Sequence, residues 1–151
     1  MKDIARWFTT ILLVIALTVP AVGANAGESS LLDMRLRLFS RDLVEHNYDR
    51  LWIYLDPAYV RIQREIFELQ EHPFSGELFD TLFFGGAAMP DDFDNRARSV
   101  SEIASVADPW LDGLDPDTME VFFTVELTDG RTVQFSLFMD TSTLYLYGPY
   151  G

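Results

Sequence analysis

The chain has 151 residues, of which 24 are acidic and 11 are basic, so its net charge is −13, and it has no cysteine. The lack of cysteine excludes a disulfide framework and a lipid-modified cysteine, so stability must come from packing and hydrogen bonds. The negative charge repels nucleic acid and anionic lipid surfaces, and it is compatible with a cationic partner, bound divalent ions or solubility alone.

Residues 1–26 have the order of a secretory signal peptide. Lys2 and Arg6 precede an apolar run, Pro20 ends it, and Ala-Asn-Ala then supplies the small residues of a cleavage site. The apolar run is shorter than the roughly 20 residues that a membrane-spanning helix needs. We therefore predict cleavage before Gly27 and export of a soluble protein that is not anchored in the membrane, either to a periplasm or out of the cell.

The remaining residues, 27–151, suit a single domain, and its first half has the helical period. Leucine and phenylalanine recur every three or four residues from Leu32 to Leu43, which predicts an amphipathic helix with Ser29 or Ser30 as its cap. A polar break follows, and Asp49 is predicted to cap a short second helix.

Two further helices are predicted before residue 97. Asp56-Pro57 is a typical helix start, so residues 58–69 are predicted to be helical. The residues predicted to form the buried face of this helix are Tyr59, Ile62, Ile66 and Leu69. Residues 75–84 are predicted to form another short helix that ends at Gly85-Gly86, and an acidic loop follows.

The second half of the chain alternates with the period of a β-strand, and residues 119–139 predict a hairpin. A two-residue loop would place the apolar residues of its two strands on opposite faces. A three-residue loop, 128–130, pairs Phe123 with Phe135 on one face and places Gly130 in a left-handed bulge. With weaker strands at 100–106 and 144–147, we predict an α+β domain whose helices pack on an antiparallel sheet of about four strands.

The segment from Asn47 to Trp52, Asp56-Pro57 and the later hairpin resemble the nuclear-transport-factor-like superfamily in their order. This resemblance implies a cystatin-like α+β roll whose curved sheet and helices enclose a cone-shaped pocket. It also implies a strand pair between residues 57 and 97, where the sequence itself predicts helices. Members of that superfamily include small isomerases and dehydratases as well as binding and assembly modules, so the likeness assigns no chemistry.

Catalytic residues are not evident in the sequence. His46 ends the first helix, where a cation suits the helix dipole, and His72 lies in a turn before Pro73. Neither is predicted to act as a general base. No phosphate-binding loop, nucleophile elbow or zinc-ligand set is present.

Two clusters of acidic residues suggest a calcium site as an alternative. Asp91, Asp92 and Asp94 lie in one loop, and further aspartates lie between Asp108 and Asp117. Calcium prefers carboxylate and carbonyl oxygens, but the spacing of a calcium-binding EF-hand is absent. Solvated loops are the simpler interpretation, and no other cofactor is predicted.

Aromatic residues give the main candidate binding surface. In the predicted hairpin, Phe122 and Phe138 point away from Phe123 and Phe135, and either Tyr145 or Leu146 is expected to join them. Trp52 and Trp110 are also large apolar side chains that are expected to be shielded from solvent by other residues. The second apolar face could form a ligand pocket, a homodimer interface through the sheet or a contact with a loop of the same chain.

These features together predict an exported, soluble, non-catalytic binding or protein-interaction domain. Its partner is an unidentified protein or small molecule, and nucleic acid is not expected. A small pocket enzyme of the isomerase or dehydratase type is one alternative, and a calcium-dependent binding domain is another.

Overall fold

A computed structural model of the chain describes residues 25–84, 96–113 and 115–148. The chain divides into two compact units, Met1–Asp33 and Met34–Gly151. The described part of the first unit is the start of the first helix, and the sheet and all later helices belong to the second unit. Except for its last two residues, the predicted signal peptide lies outside the described residues.

The helices of the described chain precede its sheet, so the predicted α+β class is confirmed. Their bounds are α1 Asn25–Val44, α2 Tyr48–Leu51, α3 Pro57–Ile66 and α4 Gly76–Phe84, with short 3₁₀ turns at Trp52–Tyr54 and Val100–Glu102. The predicted start of α3 is confirmed. Asp56 accepts a hydrogen bond from the Tyr59 N–H at 2.8 Å, and Pro57 occupies the first turn.

Two predicted caps are wrong. Ser29 and Ser30 lie inside α1, because the helix begins at Asn25, and the intervening Ala26 and Glu28 have high helix propensity. Asp49 lies within α2, whose N-terminal cap position is taken by Asn47. The predicted polar break itself is present, and His46 adopts a left-handed conformation there (φ 54°).

The buried face of α3 also differs from the prediction. The helix buries Tyr59, Val60 and Gln63, whereas Ile66 is 63% exposed. The helix ends at Ile66, three residues earlier than predicted, because Glu68 adopts a left-handed conformation (φ 56°) and the Leu69 N–H donates to the Arg64 carbonyl. The Arg64 guanidinium also donates to carbonyls of the following turn. These carbonyls belong to Leu69, Gln70 and His72.

The sheet has five strands: β1 Ile103–Val106, β2 Trp110–Gly113, β3 Thr118–Leu127, β4 Thr132–Asp140 and β5 Leu146–Tyr147. The order is β1-β3-β4-β5, and β2 pairs with the same edge of β3 as β1 does. The sequence missed β2 because Asp108-Pro109 interrupts this edge strand, and proline cannot donate to a ladder.

The predicted hairpin register is confirmed. Val125 pairs with Val133, Phe123 with Phe135 and Val121 with Leu137. Gly130 has φ 86°, and its N–H donates to the Leu127 carbonyl at 2.9 Å. A three-residue loop with a left-handed glycine therefore sets which face of each strand is buried.

The helices cover one face of this sheet, here called the inner face. Phe39 of α1 packs against Phe123 of β3 with ring centroids 5.3 Å apart. Asp56, before α3, donates its N–H to the Leu146 carbonyl at 2.8 Å, which places α3 beside the β5 edge. Within residues 25–84, 96–113 and 115–148, no helix combines the length and apolarity needed to cross a bilayer.

Candidate functional site

A cavity of about 480 Å³ lies between the inner face of β4 and helices α3 and α4. Seven of its 17 described lining residues are aromatic, and it is also lined by the polar residues Thr81, Arg96, Gln134 and Ser136. Phe135 from the sheet stacks on Phe123 at 5.1 Å, and Phe84 meets Phe135 edge to face at 5.4 Å. Phe79 and Phe83 of α4 stack on each other at 4.8 Å and line another part of the wall.

One buried polar side chain lines this cavity. Gln63 is only 7% exposed, and its amide makes no hydrogen bond with any residue in the described part of the chain. Ser40 Oγ and Asp42 Oδ1 are the described side-chain atoms that are both inaccessible to solvent and without a partner. The Gln63 amide atoms are not in this group, so they are accessible from the cavity. The amide therefore faces the cavity with two donors and one acceptor available.

The local structure explains why Gln63 points inwards. The Asp56 cap and the bond from Asp56 to β5 fix the start of α3, and Arg64 holds the turn after it. With both ends held, positions 59, 60 and 63 share the face towards the sheet. Gln63 was not predicted to be buried, because the predicted face of α3 was defined by apolar residues alone. The sequence does contain a signal for it, because Gln63 follows Tyr59 by four residues and Val60 by three, and these spacings place all three on one face of a helix.

Tyr59 is the cavity-lining residue whose side chain could act as the acid or base that the enzyme alternative requires. It is 3% exposed, and its ring lies 5.8 Å from Phe83. A Cβ added to Gly148 would overlap the Tyr59 hydroxyl, so glycine is required for this close approach. No described lining residue carries a carboxylate or an imidazole. General acid–base chemistry in the cavity would therefore fall to this hydroxyl.

A second depression, the Trp52 groove, lies on the outer side of α3. Its volume is about 650 Å³, and its lining includes Trp52, Phe74 and Arg64. Arg64 lies 4.7 Å from the Phe74 ring centroid and also binds three backbone carbonyls. The groove therefore has exposed aromatic surface, and of its two described arginines Arg64 is engaged by backbone carbonyls whereas Arg61 is exposed.

The predicted aromatic surface is partly reproduced on the face opposite the helices, here called the outer face. Phe122 stacks on Trp110 with centroids 3.8 Å apart, and Phe138 contacts Tyr147 at 5.7 Å. The expectation that Tyr145 or Leu146 joins this face is wrong. Leu146 is buried opposite Met139, and Tyr145 precedes the strand, which begins two residues later than expected. Tyr145 instead lies over the Arg35 guanidinium at 5.4 Å.

The predicted calcium ligands Asp91, Asp92 and Asp94 lie outside the described residues. Asp108, Asp112, Asp115 and Asp117 are all exposed. Within the described ranges, no three acidic or histidine side chains are grouped so that they could hold a metal ion.

The two histidines lie in turns next to helices, as expected from the sequence. His46 follows α1, and its Nε2 lies 3.0 Å from the Ile103 carbonyl oxygen. His72 is exposed in the turn after α3. Neither lines the cavity.

A buried carboxylate joins α1 to the 3₁₀ turn. Asp42 is fully buried and accepts a hydrogen bond from the Tyr54 hydroxyl at 2.6 Å. Arg50 Nε lies 3.4 Å from the same oxygen of Asp42, and Arg41 lies 3.6 Å from the other. None of these four residues lines the cavity, and the network reaches it only through the Tyr54 ring, which packs edge to face on the lining residue Phe39.

A second carboxylate anchors the chain that leads into the sheet. Asp80 of α4 accepts hydrogen bonds from the Tyr48 hydroxyl at 2.9 Å, from Ser99 at 2.8 Å and from the Val100 N–H at 2.9 Å. The network thereby ties α4, whose aromatic residues line the cavity, to α2 and to the start of β1.

These networks predict a loss of stability at alkaline pH. Burial raises the pKa of Tyr48 and Tyr54 above the ordinary value of 10.0, and the hydrogen bonds to Asp80 and Asp42 raise it further. The unfolded chain then loses these protons first, so the free energy of unfolding falls as pH rises from about 10 through the folded pKa values. Urea unfolding at about pH 8 and about pH 11 measures this fall. We expect this fall to be smaller in Tyr54→Phe than in the native protein, and an equal fall in the two proteins would contradict the assignment.

Comparison with known proteins found no matching family model, no similar curated protein and no similar solved structure. The resemblance to the nuclear-transport-factor-like superfamily therefore stays a prediction. The function must be argued from the cavity and the surfaces of this chain.

Proposed function

We propose that the protein is an exported, soluble, non-catalytic binding domain that holds a small molecule in the cavity between its helices and its sheet. The ligand is mostly apolar and carries one group that can hydrogen-bond to an amide. The observation that carries this proposal is the buried, unpartnered amide of Gln63 in an aromatic cavity.

The size and lining of the cavity favour a small organic ligand. Pockets for such ligands typically enclose about 300–1,000 Å³ and combine apolar walls with a few polar groups. The volume here, about 480 Å³, falls in that range. The walls from Phe79, Phe83 and Phe135 offer ring faces and edges against which a flat apolar ligand can pack.

The placement of Gln63 supports a role in binding. An apolar residue of the same length would suit this buried face of α3, whereas the amide reaches the cavity with its donors and acceptor available. A ligand that donates to or accepts from the amide would make hydrogen bonds that the protein itself does not supply. Such a site also rejects analogues that lack the polar group.

Benzamide and isopropylbenzene provide a matched test, because they have nearly the same shape and only the first can hydrogen-bond. NMR titration measures both affinities for the native protein and for Gln63→Met, which keeps the side-chain length. We expect the substitution to shift the affinity ratio towards isopropylbenzene by about tenfold. Gln70→Met makes the same chemical change at an exposed glutamine and should leave the ratio unchanged.

The same variant also tests the stability cost. Without ligand, Gln63→Met is expected to raise the free energy of unfolding by about 1 kcal/mol and the Tm by about 4 °C, because an apolar side chain packs better against the neighbouring rings than a largely buried amide does. Thermal unfolding of the free proteins measures this change. If the Tm of Gln63→Met falls and neither probe binds at millimolar concentration, the amide has a structural role and the proposed function is wrong.

The isomerase or dehydratase alternative predicts a different residue. Its chemistry would depend on the Tyr59 hydroxyl rather than on the Gln63 amide. Tyr59→Phe should then abolish turnover of a ligand while leaving its binding intact, whereas a binding domain releases every ligand unchanged.

A further inference from the structure

The outer face of the sheet carries aromatic residues that are not covered as a core would be. We call Trp110, Phe122, Phe138 and Tyr147 the outer aromatic cluster. The Trp110 and Phe122 rings are almost parallel, with an interplanar angle of 5°, and Trp110 is still 49% exposed. Trp110 thus partly shields Phe122 and itself presents a ring face to solvent.

Two carboxylates lie beside this cluster on the same face. Asp112 of β2 and Glu120 of β3 are directly opposite each other in the ladder, and Phe138 flanks Glu120 on the other side. Like charges opposite each other on neighbouring strands destabilise a sheet. Neither carboxylate forms an ion pair or hydrogen bond with a side chain in the described ranges. The five strands contain no lysine, arginine or histidine that could offset them.

We infer that the outer face binds a cationic protein segment that presents arginine or lysine side chains. A guanidinium group stacks on exposed aromatic rings and pairs with carboxylates, so it satisfies both features of this face at once. The net charge of −13 adds long-range attraction for a basic partner.

The charges argue against a second copy of this chain as the occupant. In a two-fold contact through this face, each copy would present the same Asp112 and Glu120 carboxylates to the other. Like charges brought together in an interface cost several kcal/mol. A cationic segment instead relieves the repulsion that the free protein already contains.

The test uses a capped hexapeptide of alternating arginine and glycine, and the same peptide with neutral citrulline in place of arginine. Calorimetric titration measures both affinities at low and at physiological salt. We expect the arginine peptide to bind, with an affinity that falls as salt rises, and the citrulline peptide to bind at least tenfold more weakly.

Variants locate the binding to this face. Glu120→Gln and Trp110→Ala are each expected to weaken binding of the arginine peptide by roughly 3- to 10-fold. Glu71→Gln removes an exposed carboxylate in the turn after α3 and should change it less than twofold, within the scatter typical of surface sites. Circular dichroism of each variant establishes that it is folded.

Two results would overturn the inference. One is equal affinity of Glu120→Gln and Glu71→Gln for the arginine peptide, which would mean that only the overall charge attracts it. The other is a dimer in sedimentation that Trp110→Ala dissociates, which would assign the face to a second copy. Because the cavity lies on the inner face, Trp110→Ala should leave benzamide binding unchanged, so failure here and failure of the proposed function are distinguishable.

Discussion

Replacing Phe123 with alanine is expected to lower the free energy of unfolding by about 4 kcal/mol, the range typical of large aromatic residues in a core. Phe123 is fully buried, stacks on Phe135 and packs against Phe39 of α1. The cavity left by alanine would open between the sheet and the helices, where neighbouring rings cannot close it. Urea unfolding of the native and variant proteins measures the difference.

Phe122 is the matched control, because it is the adjacent residue and points to the other face. It is only partly buried, and its main contact is Trp110. Phe122→Ala is expected to cost about 1 kcal/mol, the central value for point substitutions. Equal costs at the two positions would mean that the hairpin register, and hence the division into inner and outer faces, is incorrect.

Replacing Asp42 with alanine is expected to cost about 3 kcal/mol, the lower end of the range for breaking a buried ion pair. The Tyr54 hydroxyl would lose its acceptor, and Arg50 would lose the carboxylate 3.4 Å away. The value is at the lower end because Arg50 is about half exposed and can regain water. The same urea titration measures it.

Asn and Ala substitutions at Asp42 separate the contribution of its charge from that of its hydrogen bond to Tyr54. Asp42→Asn keeps an acceptor for the Tyr54 hydroxyl and loses only the charge, so it should cost less than Asp42→Ala. Asp49→Ala removes an exposed carboxylate one helix further on and should change stability by less than about 0.5 kcal/mol. A cost at Asp42 no larger than at Asp49 would contradict the buried network.

The hairpin could be predicted from the sequence because one physical constraint decided it. A strand has a side-chain period of two, so a change of one residue in the loop would move Phe123 and Phe135 to opposite faces. Similarly, Asp56 and Pro57 predicted the start of α3 because their local chemistry suits a helix N-terminus regardless of what packs nearby.

The cavity could not be predicted in this way, because it depends on contacts between distant segments. Ile66 fits the apolar stripe of α3 better than Gln63 does, yet the helix ends at Ile66 before the left-handed Glu68, and the bond from Asp56 to Leu146 places its start beside β5. Phe122, Phe138 and Trp110 were identified from the sequence, but the Trp110 stacking required β2, which Pro109 concealed. Tyr147 rather than Tyr145 contacts Phe138, because the last strand begins two residues later than expected.

The central pair of strands thus separates two surfaces with different chemistry. Phe135 lines the cavity that the buried Gln63 amide faces, whereas Phe122 and Phe138 face outwards beside carboxylates. The ligand proposed for the inner surface is small and mostly apolar, and the partner proposed for the outer surface is a cationic protein segment. Each can be altered without changing the other, because neighbouring residues on a strand point to opposite faces.

The most direct test of the proposed function is the position of bound benzamide, measured by NMR as intermolecular NOEs to labelled methyl groups. We predict NOEs to Leu82, Val133 and Leu137, which line the cavity, and their loss in Gln63→Met at the same benzamide concentration. NOEs only to Leu55 and Val60 would place the ligand in the Trp52 groove instead. That result, or NOEs that persist unchanged in Gln63→Met, would contradict the assignment of Gln63 as the polar group of a ligand site.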